Sequence, residues 1–148
     1  MGVRVHHSAI RVRDTDSSLR FYRDGIGLDV LMDRVFEGDW PTLFGVGSTR
    51  LRSIFLGDRG HPDAGFVELV AFEDDTAAPL GPAGAPTGGA GFLLLSFYVD
   101  VDEVAARLAS LGFGPARRIE QPAPTGSVAM ATVHDPDGVC VELIDVPG

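Results

Sequence analysis

Two stretches of this chain set a glutamate inside an otherwise apolar run. They are Phe66-Val67-Glu68-Leu69-Val70 and Val139-Cys140-Val141-Glu142-Leu143-Ile144, separated by half the chain. A carboxylate in such a run is costly unless something compensates it. The segments ahead of the two glutamates also correspond. Ile10, Val12, Leu19, Phe21 and Gly27 are echoed by Phe97, Val99, Val104, Leu108 and Gly112. The chain therefore reads as a weak tandem repeat, and what it folds into must bring two similar halves together.

Each half reads as strand, helix, then two or three strands. Partial alternation of apolar residues predicts strands over 3–12, 28–36, 50–56, 66–72, 92–99, 127–133 and 139–146. A short helix is expected over 18–24, with N-caps available among Asp14 to Ser17 and with Gly25 and Gly27 at its end. A second, amphipathic helix over 100–111 carries Val101, Val104, Leu108 and Leu111 on one side and stops at Gly112. Residues 76–90 are small, uncharged and rich in Pro and Gly, so that about 74–90 reads as a linker between module one (about 1–73) and module two (about 91–148) of a single domain. Residues 37–44, with Trp40 and Phe44, read as an aromatic loop: a cleft lid, a dimer contact or a buried loop.

Strand alternation sorts the chemistry-bearing residues by face. Phe66, Glu68 and Val70 share one side of their strand, as do Cys140, Glu142 and Ile144. If the other side of each strand packs on a helix, both glutamates face a common cavity on a curved sheet. His7 shares its phase with Ala9 and Arg11, while Ser8, Ile10 and Val12 take the helix side. His7 is then expected beside Glu68, and His6 on the helix side in a structural role. Imidazole plus carboxylates is a donor set suited to Zn, Fe, Mn, Ni or Co.

Other candidates belong to ligand binding. Arg11 shares the His7 phase and can pair with an anionic substrate or a glutamate. Arg50 and Arg52 lie on one strand face and can point into the cleft, or form a solvated face. Ser96 and Tyr98 fall on the cavity phase of the fifth strand. Trp40 and His61 lie on long loops, where ligand contacts are common. Cys140 reads as a small packed side chain, and His134 as the cap of the turn that follows it.

Residues His7-Ser8-Ala9-Ile10-Arg11-Val12-Arg13-Asp14, then Ser18, Leu19, Phe21, Tyr22, Arg23, Asp24, Ile26, Gly27 and Leu28, resemble the vicinal oxygen chelate superfamily. So do Asp135-Pro136-Asp137-Gly138 and the following Val141-Glu142-Leu143. That superfamily includes glyoxalases, methylmalonyl-CoA epimerase, extradiol dioxygenases and the bleomycin and fosfomycin resistance proteins. The resemblance covers essentially the whole chain. It implies an α+β fold of two βαβββ modules in tandem, whose curved mixed sheets form a cleft, in a homodimer. It also implies a divalent metal (Zn, Ni, Co, Mn or Fe) held by His7, Glu68 and Glu142, or else a metal-free cleft. Counting back from Phe97 and Val99 puts Leu94 where His7 stands in the first half, so the fourth ligand of the family's metalloenzymes is missing. Leu94 would then border the ligand instead.

Two readings of function follow. One is a metal-dependent lyase, isomerase or epimerase of the glyoxalase-like class, acting on an oxygenated small molecule, for which the resemblance implies Glu142 or Glu68 as general base. The other is a non-catalytic protein that binds and sequesters a drug or antibiotic, as bleomycin resistance proteins do. An extradiol dioxygenase would need a second histidine placed like His7.

Composition narrows the field. The formal charge is −9, from 21 acidic and 12 basic residues, which argues against nucleic acid as a partner. A single cysteine excludes an intramolecular disulfide framework. No apolar run approaches the roughly 20 residues that span a bilayer, and residues 1–7 lack the apolar stretch of a signal peptide. A cytoplasmic protein with a small-molecule ligand is the expectation.

Overall fold

A computed structural model describes residues 2–78 and 90–147. The chain forms two compact units, Met1–Ala78 and Pro79–Gly148. The linker expected over 74–90 falls largely on 79–89, outside the described residues.

Module one contains β1 (His7–Arg11), α1 (Thr15–Leu19) continuing as a π-helical stretch (Arg20–Ile26), β2 (Asp29–Glu37), α2 (Trp40–Phe44), β3 (Arg50–Gly57) and β4 (Phe66–Phe72). Module two contains β5 (Leu95–Tyr98), α3 (Val101–Ser110), β6 (Arg117–Ala123), β7 (Gly126–His134) and β8 (Cys140–Ile144). Each module folds into a four-stranded mixed sheet, with orders β1-β4-β3-β2 and β5-β8-β7-β6. In both, the first strand runs parallel to the last and the other pairs are antiparallel. The repeat seen in the sequence is thus a repeat of topology, and the two-module α+β fold is the one expected.

Local chemistry sets the helices. Asp14 caps α1, its carboxylate accepting from the backbone N–H of Asp16 (3.1 Å) and Ser17 (3.3 Å). The π-helical stretch buries Phe21 and Tyr22 completely. It stops at Gly27, whose φ of 99° lets its N–H donate back to the Tyr22 carbonyl at 3.2 Å. In module two, Asp100 caps α3 by accepting from the Glu103 N–H at 3.0 Å. Val101, Val104 and Leu108 follow at helical spacing and are all buried.

These helices cover one face of each sheet. In module one that face presents Ile10, Val12, Ile54, Leu56, Val67 and Leu69, all buried. In module two it presents Ala131, Val133, Val141 and Leu143. Full burial of such aliphatic side chains stabilises each module by about 1.5–3 kcal/mol per residue. The opposite faces carry Glu68 and Glu142, as the alternation predicts.

Three local expectations are corrected. The first strand begins at His7 rather than near residue 3, because Val3 and Val5 find no neighbour and are 104% and 85% exposed. The aromatic loop contains a helical turn, α2, capped by Asp39 through the Thr42 N–H at 3.3 Å and opened by Pro41. The turn after β7, where His134 is expected as the cap, is closed by Asp135: one Asp135 carboxylate oxygen accepts from the N–H groups of Asp137 and Val139, both at 2.9 Å.

Candidate active site

β1 and β4 are parallel neighbours with Ala9 opposite Glu68. His7 therefore projects from the same face as Glu68, and its Nε2 lies 3.3 Å from Glu68 Oε1. Both side chains are partly buried, at 29% and 17% exposure. The other Glu68 oxygen, Oε2, accepts the hydroxyl of Ser53 on β3 at 2.5 Å. Ser53 is 1% exposed. The His7 ring stacks on Phe66 (centroids 5.2 Å, interplanar 10°), and its Nδ1 shares a hydrogen bond of 2.7 Å with His6 Nδ1. His6 also touches Phe66 edge-on at 5.1 Å. The sequence reading set His6 on the helix side; it precedes β1, so strand alternation does not govern it.

Module two repeats the arrangement with one change. Ser96 on β5 stands opposite Glu142 on β8, as Ala9 stands opposite Glu68. The residue two before Ser96 is Leu94, the counterpart of His7 by position, and it lies just ahead of β5. Ser96 donates its hydroxyl to Glu142 Oε1 at 2.7 Å. Tyr98 lies on the same face and is 66% exposed. Cys140, also on this face, is buried; burial first, and then the Glu142 charge, push its thiol above the ordinary range. That suits packing, not nucleophilic attack.

Further along the Glu68 face lies Arg11. Its guanidinium grips Asp75 through two bonds of 2.6 Å and sits 5.2 Å from the centre of the Phe72 ring. Arg11, Ser48, Phe72 and Asp75 border a cleft of about 370 Å³. Phe44 meets Phe72 edge-on at 6.0 Å, and Trp40 stacks on Phe44 at 5.8 Å. Trp40 therefore belongs to an aromatic cluster at this end of the face, with its indole N–H on the Phe36 carbonyl at 3.4 Å.

Arg52 is placed otherwise than expected. It lies on the helix face, opposite Glu68, because β3 exposes Ser53 and Phe55 on the glutamate side. Arg52 forms bonds of 2.8 and 2.7 Å with Asp33 and one of 3.1 Å with the Thr15 hydroxyl. Arg50 shares that phase and pairs with Glu37 at 2.7 Å. His61 sits 2.7 Å from Asp58 on an exposed turn. Ser53 and Asp75 were not anticipated. Neither could be found without the strand register or the course of the chain after β4.

Residues 4–143 match the Glyoxalase/Bleomycin resistance protein/Dioxygenase superfamily. The chain belongs to this family. A lactoylglutathione lyase-like protein of Aspergillus terreus is 34% identical over 97% of this chain and 75% of its own length. A probable lactoylglutathione lyase of Synechocystis is 29% identical over 93% of this chain and 92% of its own. Among solved structures, a glyoxalase family protein from Bacillus cereus superposes with a TM-score of 0.74 at 23% identity, covering 100% of this chain and 97% of that one. Glyoxalase I from Zea mays gives 0.65 at 24% identity, covering 98% of this chain and 45% of that one. These two likenesses concern the fold.

Glyoxalase-superfamily members commonly use divalent metals, so the donors of this member were tested against one. Two ligands about 2.0–2.2 Å from a tetrahedral ion lie about 3.4 Å from each other. The 3.3 Å between His7 Nε2 and Glu68 Oε1 is close to that spacing and longer than an ordinary N–H···O bond. The Nδ1 contact to His6 is of the kind that orients a ligating imidazole. The module-one pair thus fits an ion. Within either module alone, no three His, Cys, Asp or Glu side chains among the described residues gather into a fuller set.

Proposed function

We propose that this protein is a metal-dependent lyase, isomerase or epimerase of the glyoxalase-like class, acting on a small molecule with oxygen on adjacent carbons. The observation that carries the reading is the convergence of His7 Nε2 and Glu68 Oε1, with Glu142 at the equivalent register position of the second sheet. His7 and Glu68 are the proposed ligands for Zn, Ni, Co, Mn or Fe, with Glu142 as a third ligand only when it is not acting as the base. When bound, such an ion supplies Lewis acidity toward a substrate carbonyl or carboxylate.

The chain's own residues do the rest. His7 and Glu68 orient each other, and the Ser53 hydroxyl keeps Glu68 from turning. Glu142 is bonded through Oε1 to Ser96, and its Oε2 has no hydrogen bond among the described residues. Oε2 is the proposed proton acceptor from the carbon beside the carbonyl, and it returns the proton to the neighbouring or the same carbon. Arg11, Trp40, Ser96, Tyr98 and Leu94 are the proposed ligand contacts. A homodimer in the cytoplasm completes the reading.

The test is proton exchange. Enolisable α-oxygenated carbonyl compounds are incubated with protein in deuterated water and followed by NMR. Exchange at the α-carbon is expected, falling by about 10²–10⁴ in Glu142→Gln. No exchange with any such compound would overturn the reading.

One observation favours the sequestering alternative: an apolar Leu94 stands at the counterpart of His7. Tight binding of a cationic or aromatic natural product, unchanged by His7→Ala, would establish it.

A further inference from the structure

Each buried-strand glutamate is held by one serine, and the two serines come from opposite flanks. Glu68 is held by Ser53 of β3, diagonally across from it, because the directly paired residue on β1 is Ala9. Glu142 is held by Ser96 of β5, the directly paired residue itself. The corresponding diagonal position on β7 is Met130, opposite Ile144 just as Ser53 is opposite Val70. A methionine offers no hydroxyl there. So where module one keeps a diagonal serine, module two keeps a direct one, and neither keeps both.

We infer that Ser53 and Ser96 are positioning residues, each occupying one oxygen of its glutamate so that the carboxylate acts through the other oxygen alone. The inference rests on the reading of Glu68 and Glu142 given above and deepens it. A carboxylate in its ionised form only accepts, so each serine must donate. A hydrogen bond to a charged group is shorter and roughly twice as strong as a neutral one. The Ser53 hydroxyl is buried and would be left without a partner if Glu68 turned away, which adds a further cost to that rotation. With Oε2 engaged, Glu68 presents Oε1 to His7. With Oε1 engaged, Glu142 presents Oε2. Chelation by both oxygens of one glutamate would have to share the serine-bonded oxygen, which weakens that bond. The arrangement therefore favours one-oxygen ligation and leaves room for a substrate oxygen.

The experiment uses Ser53→Ala, Ser96→Ala and Ser96→Thr in the full chain. Ser96 is exposed, so its variants keep the fold even if Ser53→Ala weakens it. Ion-free crystal structures are compared first. In the alanine variants the Glu68 or Glu142 carboxylate is expected to rotate from its parent orientation, and Ser96→Thr to restore it. Co²⁺ titration is the second readout. Affinity is expected to fall by about tenfold or more in each alanine variant, in the range found for residues that orient metal ligands, and to return in Ser96→Thr. Carboxylates that do not move in either alanine variant would overturn the inference. So would Co²⁺ binding by parent and both alanine variants within twofold of one another. If the carboxylates rotate but the parent binds no Co²⁺, the metal reading fails while the positioning role of the serines stands.

Discussion

Glu68 and His7 face each other from adjacent parallel strands, with Oε1 and Nε2 3.3 Å apart. Neither side chain reaches the other by a flexible loop. Both are fixed by a ladder in which Ala9 pairs with Glu68 and Phe66 with His7. The pair is consequently a property of the sheet, and substitutions that leave the sheet intact should change ion binding without changing the fold.

The clearest such change adds a donor. Leu94 stands two residues before Ser96, as His7 stands two before Ala9, and it is half-buried. Leu94→His is expected to tighten Co²⁺ binding by tenfold or more, since an added imidazole suits a borderline ion. Isothermal titration of ion-free parent and variant reads this directly. Equal affinities would mean that Leu94 is not a coordination position.

Arg52 separates stability from binding. Its bonds to Asp33 and Thr15 lie on the helix face, away from Glu68. Arg52→Ala is expected to cost about 1 kcal/mol, the upper range for a two-bond surface ion pair, measured by urea unfolding. Co²⁺ affinity should be unchanged. A loss of affinity without a loss of stability would return Arg52 to the ligand side.

Asp75 gives the fold an acid-sensitive element. The hydrogen bonds from Arg11 hold the Asp75 carboxyl below the usual carboxylate range. A folded value below the unfolded one means stability that is present above the ordinary aspartate range, near pH 4, and is lost as pH falls through the folded value. Because Arg11 is 46% exposed, the expected contribution is only about 0.5–1 kcal/mol. Asp75→Asn should lower the urea midpoint at pH 7 and narrow its gap to the parent below about pH 4. A gap independent of pH would contradict the assignment.

The sequence made much of this legible, and the reasons are local. Glu68 and Glu142 stood out because a charge in an apolar strand is rare, and alternation then put His7 on the same face as Glu68. Leu94 emerged from counting between the halves, and it lies one residue ahead of β5. Arg52 was misread because alternation says which residues share a face, not which face a helix will cover. Ser53 was missed for a related reason: its contact with Glu68 depends on how β3 registers against β4, which no single strand reveals. Asp75 lies beyond the last strand of its module, where chain direction follows no period. His6 shows the limit of alternation just ahead of a strand.

The most direct test of the central claim is elemental analysis of protein purified without chelator or added metal, beside a His7→Ala variant. The account expects about one equivalent of Zn, Ni, Co, Mn or Fe per chain in the parent and its loss in the variant, with both proteins equally folded. A parent without metal, whose thermal midpoint is unmoved by adding any of these ions, would contradict it.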